Sequence, residues 1–144
     1  MKNKAFSIFR YNKFKFGDQH VSQFVVFEWK CLFSIIFFYF HKSDGVQDRF
    51  HTHAFNAISF KLFGQYTEYI LLSERPNDYF TQRRTQFFKY FPKNSYHKIG
   101  NSNGCMTLLL SGRWEKEWKE YVDDGQVVHY TWGRDKNNKT TSLD

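Results

Sequence analysis

Cys31-Leu-Phe-Ser-Ile-Ile-Phe-Phe-Tyr-Phe40 is the most apolar stretch of this 144-residue sequence. A membrane-spanning helix needs about 18 to 20 apolar residues, so a run of this length indicates a buried strand. On either side of it, mainly apolar runs alternate with turns rich in Gly, Asn and Asp, which is typical of an all-β sandwich, jelly roll or barrel. At most one or two short helices are expected, over residues 114–121 and 19–23. The runs that predict strands are residues 6–11, 14–16, 24–29, 32–40, 55–63, 69–72, 87–91, 106–110 and 127–132.

Aromatic residues make up 22% of the chain, with 18 Phe, 9 Tyr and 4 Trp. Aromatic side chains favour strands, helical bundles depend mainly on Ala and Leu, and disordered chains are poor in aromatic residues. We therefore expect one β-barrel domain over residues 1–133 and a polar, flexible tail over residues 134–144. The barrel interior is expected to be filled largely by phenylalanines such as Phe33, Phe37, Phe38, Phe60 and Phe88.

Charge and cysteine content narrow the setting and the partners. The 21 Lys and Arg exceed the 14 Asp and Glu by seven, which favours an anionic partner. Acidic residues cluster between Glu115 and Asp124 and no nucleic-acid-binding motif occurs, so a small anionic ligand is expected and duplex nucleic acid is not. Cys31 and Cys105 form no metal-binding spacing, and the N-terminal residues lack the apolar core of a signal peptide, which together predict a cytoplasmic protein without a membrane segment.

Three histidines form the most informative motif. His51 and His53 are two residues apart, so on a strand both imidazoles project to the same face. A third histidine, His97, follows a turn that begins at Pro92. Three converging imidazoles suit a divalent transition metal such as Zn, Fe, Mn, Ni or Cu, with coordination positions left for water or substrate.

These residues resemble the two motifs of the cupin superfamily. Gly45, His51-Thr-His53 and Gly64 are similar to the first motif. Pro92-Lys-Asn-Ser-Tyr-His97 followed by Asn101 is similar to the second, with Asn94 at a glycine position, where we expect it to tolerate a positive φ. The resemblance covers roughly residues 45–132 and extends to a group of small uncharacterised cupin-like proteins common in phages. It implies a single jelly roll (double-stranded β-helix) with a pocket in the mouth of the barrel and a metal held by His51, His53 and His97.

The sequence departs from the cupin pattern at one position. Cupins have a Glu a few residues after the second histidine, where this chain has Ala57 and Ile58. Asn56 is a weaker ligand nearby, and Glu68 is the next carboxylate, beyond the Gly64 turn. Two interpretations therefore stay open: a metal site of three histidines without a carboxylate ligand, and a structural or anion-binding role of His51 and His53. The missing Glu weighs against iron-dependent oxygen chemistry.

The resemblance suggests two functions and leaves open whether the protein is an enzyme. In the first, His51, His53 and His97 form the catalytic metal site of an enzyme acting on a small nucleotide-like anion. That anion could be a cyclic-nucleotide signal of host defence, degraded by a phage protein in the host cytoplasm. In the second, a non-catalytic module sequesters such a ligand. The residues expected to contact the ligand are Lys61, Tyr66, Arg113 and Trp118.

Other interpretations compete with the cupin reading. His129-Tyr-Thr131, with His41-Lys-Ser43 as partner, is similar to the paired His-x-Thr/Ser motifs of two-histidine phosphoesterases, in which the imidazoles act as general acid and base. A structural β-sandwich that forms homo-oligomers is a further alternative. Basic and aromatic residues alternate over residues 83–90, where we expect rings to point inward and lysines outward.

Overall fold

The computed structural model describes residues 5–47, 49–72, 80–122, 126–131 and 139–142, and within these ranges it contains strands and no helix. The chain forms two antiparallel sheets that enclose a core, which confirms the predicted all-β jelly roll. The six-stranded sheet has the order β1-β2-β3-β11-β6-β9, and the eight-stranded sheet has the order β14-β13-β12-β5-β10-β7-β8 with β4 beside β10. The strands are β1 (Phe6–Phe16), β2 (Gln19–Trp29), β3 (Phe33–Phe40), β4 (Ser43–Val46), β5 (Phe50–His51), β6 (Ala57–Phe63), β7 (Thr67–Leu71), β8 (Phe80–Arg84), β9 (Phe88–Phe91), β10 (His97–Ser102), β11 (Cys105–Ser111), β12 (Glu117–Val122), β13 (Gln126–Thr131) and β14 (Lys139–Ser142).

Both helix predictions are wrong. Residues 19–23 are the start of β2, where Gln19 and Val21 are buried and His20 between them is exposed. This two-residue period is that of a strand, and β2 pairs along its length with β1 and β3. Residues 114–121 run through a loop into β12, which pairs with β5 and β13. Neighbouring strands therefore supply the backbone hydrogen bonds that a helix would make within itself.

The strands that the sequence did not predict are short or polar. They are β4, β5, β8, β10, β12 and β14, of which β12 lies where a helix was expected. The last of these, Lys139–Ser142, lies in the segment expected to be a flexible tail, yet it pairs with β13 and extends the larger sheet. Residues 134–138 and 143–144 of that segment lie outside the described residues.

Two motif glycines are required by close approaches of the chain. Gly64 has a φ of 74°, and a Cβ at this position would lie 2.0 Å from the carbonyl oxygen of Gly104. A Cβ on Gly45 would lie 2.3 Å from the Cβ of Asp18. A larger residue at either position would displace β6 from β11, or β4 from the turn between β1 and β2.

The inner face of the six-stranded sheet carries the largest part of the apolar core. Val25, Ile36, Leu109 and Phe91 are buried together on four of its strands. Of the phenylalanines predicted to fill the barrel, Phe38 packs against this core. That prediction is wrong for Phe33 and Phe88, which are exposed, and Phe37 and Phe60 are only half-buried.

No helix long and apolar enough to cross a membrane occurs in the described part of the chain.

Candidate metal centre

The eight-stranded sheet brings the three histidines of the sequence motifs together. His51 ends β5 and lies directly opposite both His97 on β10 and Glu120 on β12. His53 follows in a loop whose backbone is fixed on two sides: the amide of Thr52 donates to Lys119, and the amide of His53 donates to the carbonyl of Lys93. The turn over residues 92–96, which begins at Pro92, thus fixes the His53 loop through Lys93 and leads directly into His97 at the start of β10.

The ring nitrogens of the histidines converge on one point. One nitrogen from each of His51, His53 and His97 lies within 4.8 Å of the other two, and Nε2 of His53 lies 2.8 Å from Nε2 of His97. Among the described residues, no carboxylate joins this group. His97 is buried, whereas His51 and His53 are half-buried.

Aromatic rings surround the cluster on its inner side. Phe16 stacks on His51 with ring centroids 6.3 Å apart, and Phe55 stacks on His53 at 5.3 Å. Phe91 contacts both His53 and His97 edge-on, at 6.0 and 5.1 Å. These rings exclude water from one side of the imidazoles and restrict their rotation.

A buried carboxylate orients His97 from behind. Oε1 of Glu68, on the neighbouring strand β7, accepts a hydrogen bond of 2.7 Å from Nδ1 of His97. This bond places the proton of the neutral imidazole on Nδ1 and leaves the lone pair of Nε2 directed at His53. A carboxylate that fixes a histidine in this way is the arrangement found behind many metal ligands. Glu68, noted in the sequence as the next carboxylate along the chain, therefore contacts the cluster through Nδ1 of His97 and is not one of the converging groups.

Two cations balance the charge of Glu68. Lys89 on β9 forms a buried ion pair with Oε1, and Nε of Arg83 on β8 lies 2.9 Å from Oε2. Burial alone would raise the pKa of Glu68, but hydrogen bonds and charges from His97 and Lys89 outweigh it and lower the pKa to about 2. Burial also lowers the pKa of Lys89 to about 8, against the opposing effect of Glu68. Glu68 therefore stays ionised well below its ordinary pKa of 4.5.

Burial favours the neutral form of His53 and His97. Desolvation, reinforced by the neighbouring His97 and His51, lowers the pKa of His53 well below 6.5. Desolvation also lowers the pKa of His97, although the Glu68 carboxylate opposes the shift. Neutral imidazoles are the form that binds metal ions.

The donor set fits a divalent transition metal. The three ligands are imidazoles, one has its tautomer fixed, and burial favours the neutral form of His53 and His97. A metal bonded to two imidazoles at about 2.1 Å would hold their nitrogens about 3.3 Å apart. The separation of 2.8 Å between His53 and His97 is that of a hydrogen bond, so a small outward movement of one ring would admit an ion.

An open cleft gives access to this centre. Its volume is about 300 Å³, and His53 is the member of the cluster that lines it. The predicted ligand residue Trp118 also lines the cleft and stacks on Tyr130 with centroids 4.4 Å apart. The remaining walls contain residues of both charges, two hydroxyls and one amide, namely Thr52, Lys93, Asn94, Tyr96, Glu115, Glu117 and Lys119.

The other predicted ligand residues do not line this cleft. Tyr66 is buried in an apolar cluster with Val21, Phe40, Ile99 and Cys105. Lys61 lies on β6, where Nζ is 3.4 Å from the carbonyl oxygen of Thr85, and Arg113 is exposed. The assignment of these residues as ligand contacts stays a prediction, with Trp118 as the one that the cleft includes.

The asparagines of the motifs differ in part from expectation. Asn94 does not adopt a positive φ; within the described ranges, the non-glycine residues that do are Phe9 and Asn101, at 49° and 50°. Nδ2 of Asn101 donates to the hydroxyl of Tyr69. Oδ1 of Asn56 accepts from the amide of Lys93, so this side chain stabilises the turn beside the cluster and is not one of the converging groups.

The two-histidine phosphoesterase interpretation requires its motifs on paired strands. His41 directly follows β3 in the six-stranded sheet, where its Nε2 lies 2.8 Å from Oγ of Ser22. His129 lies on β13 of the other sheet, opposite Lys119 and Lys139. β3 and β13 are not paired, so the described strands do not give the two motifs that arrangement.

Sequence reasoning missed Lys89 and Phe16. Lys89 alternates with the aromatic residues of β9 as expected, but in the opposite sense: Lys89 is buried, while Phe88 and Tyr90 are exposed. In the sequence, Lys89 is a single cation within an apolar run. Such a residue indicates a buried ion pair only when a buried carboxylate, here Glu68, is known to lie near it. Phe16 is too distant in sequence from His51 for any local pattern to connect them.

Comparison with known proteins supports the fold and goes no further. No protein-family model matches the chain, and no curated protein sequence matches it. Solved structures do match: Bacillus subtilis oxalate decarboxylase at pH 4.6 has a TM-score of 0.51 and 14% identity, over 77% of this chain and 29% of that protein. DMSP lyase DddQ from Ruegeria pomeroyi DSS-3 has a TM-score of 0.53 and 14% identity, over 72% of this chain and 56% of that protein.

The chain thus spans about a third of oxalate decarboxylase and just over half of DddQ. A further structure of the Bacillus subtilis oxalate decarboxylase, with a TM-score of 0.51 over 77% of this chain, concerns its Mn(II) centres. Both neighbours are cupin-superfamily proteins. The chain therefore shares the jelly-roll fold of these neighbours, with a cluster of three histidines inside it.

Proposed function

We propose that this protein binds a divalent transition metal through His51, His53 and His97 and uses the centre on a small anionic molecule. The convergence of the three ring nitrogens within 4.8 Å carries this proposal. The orientation of His97 by Glu68 supports it, because a buried carboxylate is costly to maintain unless it is paired and hydrogen-bonded. The Mn(II) centres of a structural neighbour support the same class of metal.

The side chains around the centre orient the histidines and exclude water from them. Glu68 keeps the proton of His97 on Nδ1, and Lys89 and Arg83 keep Glu68 anionic. Phe16, Phe55 and Phe91 hold the rings and exclude water on the inner side. A divalent metal, when bound, would polarise a phosphoryl or carbonyl oxygen and activate water.

The ligand we propose is a small nucleotide-like anion. The indole of Trp118, backed by Tyr130, offers the cleft a flat ring for stacking a base, and Thr52 and Lys119 offer polar groups for an anionic oxygen. Glu115 and Glu117 on the same walls favour one or two negative charges over a long polyphosphate. Cyclic nucleotides, including host-defence signals that a phage protein could degrade, are the first members of this class to test.

The test is metal content followed by turnover. The purified protein should contain or take up about one divalent ion per chain, and His51→Ala/His53→Ala should lose it. His20→Ala is the matched control, because His20 is exposed and lies outside the cluster. An unchanged metal content in the double variant would overturn the proposal, and so would a wild-type protein that takes up none of Mn, Fe, Ni or Zn.

A binding module without chemistry is the second candidate. It is favoured by the absence of a carboxylate from the histidine group of the described residues, since many catalytic metal sites include one. Metal-loaded protein incubated with cyclic nucleotides distinguishes the two. Product formation supports the enzyme, whereas a raised melting temperature with intact ligand supports sequestration.

A further inference from the structure

The outer face of the six-stranded sheet is apolar across its whole width. Val25, Ile36 and Leu109 point into the core, so the residues that alternate with them point outward. The cross-strand register aligns these outward residues in two rows of six. One row is Tyr11, Phe24, Phe37, Leu108, Phe60 and Phe88, and the other is Ile8, Phe27, Ile35, Leu110, Ile58 and Tyr90.

Neither row contains a charged residue, and none of the twelve side chains is buried. Phe6, Trp29 and Phe33 extend the face at one end, and Phe63 extends it at the other. We call these two rows and their four extensions the outer apolar face. Its most exposed members, each 39–55% exposed, are Phe6, Ile8, Tyr11, Phe24, Trp29, Phe33, Phe63, Phe88, Tyr90 and Leu110.

The area of this face exceeds what a monomer normally exposes. If each exposed member presents about half of the roughly 200 Å² that an aromatic side chain can bury, the face offers about 1,000 Å². The largest apolar patch on a typical soluble monomer is about 300–600 Å². A standard protein interface buries about 800 Å² on each partner.

We infer that the outer apolar face is the interface of a homodimer in which two copies pack their six-stranded sheets against each other. Interfaces between transient partners are about as polar as the rest of the surface, whereas homodimer interfaces are more apolar. A charge-free face suits the second class, and a two-fold axis makes the same patch complementary to itself. Face-to-face packing of twisted sheets is a stable arrangement in β proteins.

The net charge of the chain gives this dimer a distinctive salt response. Two copies, each with a formal charge of +7, repel one another at long range. The attraction in the interface is apolar and is not screened by salt. Added salt should therefore strengthen the dimer, whereas it would weaken a complex held by ion pairs.

The test is the oligomeric state of the full chain by analytical ultracentrifugation, with two leucine variants. Leu110→Lys places a charge in the outer apolar face, and Leu72→Lys places the same charge at an exposed leucine that follows β7 of the other sheet. We expect a wild-type dimer, an unchanged Leu72→Lys dimer, and a Leu110→Lys dissociation constant raised about 30-fold or more. Phe88→Lys on the edge strand β9 replaces Leu110→Lys if that variant does not fold.

Three results would overturn the inference. One is a wild-type protein that stays monomeric at all concentrations. Another is a folded Leu110→Lys or Phe88→Lys variant that dimerises as tightly as the wild type. The third is a monomer that cosediments with vesicles of anionic phospholipid, which would assign the face to a membrane surface instead. These outcomes are independent of whether the histidines bind metal.

Discussion

The surroundings of the histidines and the outer apolar face reverse the usual distribution of polar and apolar residues. Behind the histidines, the interior holds the buried charges of Glu68 and Lys89 beside Phe91. On the outside of the six-stranded sheet, twelve apolar residues stand in two rows without a charge. Buried charge is expensive and exposed apolar area is unfavourable, so each region has a cost that folding alone does not explain. We propose a metal centre for the first region and a second copy of the chain for the other.

The largest loss of stability is expected when the buried ion pair between Glu68 and Lys89 is removed. Glu68→Ala leaves Lys89 buried without its counter-charge, which should lower the free energy of unfolding by about 3–5 kcal/mol. Urea denaturation of the metal-free protein measures this loss. Glu115→Ala is the control, because its ion pair with Lys93 is exposed and should matter by about 0.5 kcal/mol or less. A Glu68→Ala/Lys89→Met double variant should recover much of the loss; if it does not, the charge pair is not its cause.

Two adjacent leucines on β11 compare the inner and outer faces directly. Leu109 is 8% exposed in the core, and Leu110 is 39% exposed on the outer apolar face. Leu109→Ala should cost about 2–5 kcal/mol, because it leaves a cavity. Leu110→Ala should cost less, and its effect should depend on protein concentration because it acts on the dimer. Thermal melting at several concentrations measures both, and equal, concentration-independent losses would contradict the assignment of the faces.

The buried titrating groups predict how stability depends on pH. The pKa values of His53 and His97 lie below 6.5 in the folded protein. Below pH 6.5 the unfolded state therefore binds more protons than the folded state, and the free energy of unfolding decreases as the pH is lowered. Glu68, with a pKa of about 2 when folded and 4.5 as its ordinary value, adds a further loss between those two values. Urea midpoints of metal-free protein from pH 8 to pH 2 measure the profile. Glu68→Gln should remove only the lower part, and a flat profile would contradict both shifts.

The smallest effect concerns the two thiols. Cys31 is exposed, whereas Cys105 faces inward and is fully buried. Burial raises the pKa of Cys105 to about 11, so its thiolate is scarce at neutral pH. Iodoacetamide should therefore modify one thiol in the native protein and both after denaturation, as counted by mass spectrometry. Cys31→Ser should abolish the native reaction, and rapid labelling of Cys105 would show that the core opens.

The fold and the histidine set could be predicted because each has a local pattern. The spacing of His51 and His53 places two imidazoles on one side of an extended chain, and the turn from Pro92 to His97 indicates a third. The link between His97 and Glu68 could not be predicted, because it depends on the register of β7 against β10. Only that pairing shows that the nearest carboxylate lies behind the histidine.

The two faces of the six-stranded sheet could not be distinguished from the sequence for a different reason. Phe37 and Phe38 are adjacent and equally apolar, yet only Phe38 packs against the core. In a strand that is polar on one side, the alternation of polar and apolar residues shows which side faces the core. A strand that is apolar on both sides gives no such indication. The phenylalanine excess thus predicted a β fold correctly and concealed the outer apolar face.

The positive φ of Phe9 bears on how copies of this chain associate. β1 is a long edge strand of the six-stranded sheet within the described residues, and a long edge strand is a template for adding a foreign strand. Phe9 interrupts its ladder with a φ of 49°, a conformation that costs a phenylalanine about 1–3 kcal/mol. The backbone there cannot continue a regular row of hydrogen bonds to a newcomer. The interruption at Phe9, together with Lys13 and Lys15 on the same strand, disfavours the open-ended addition of strands at this edge.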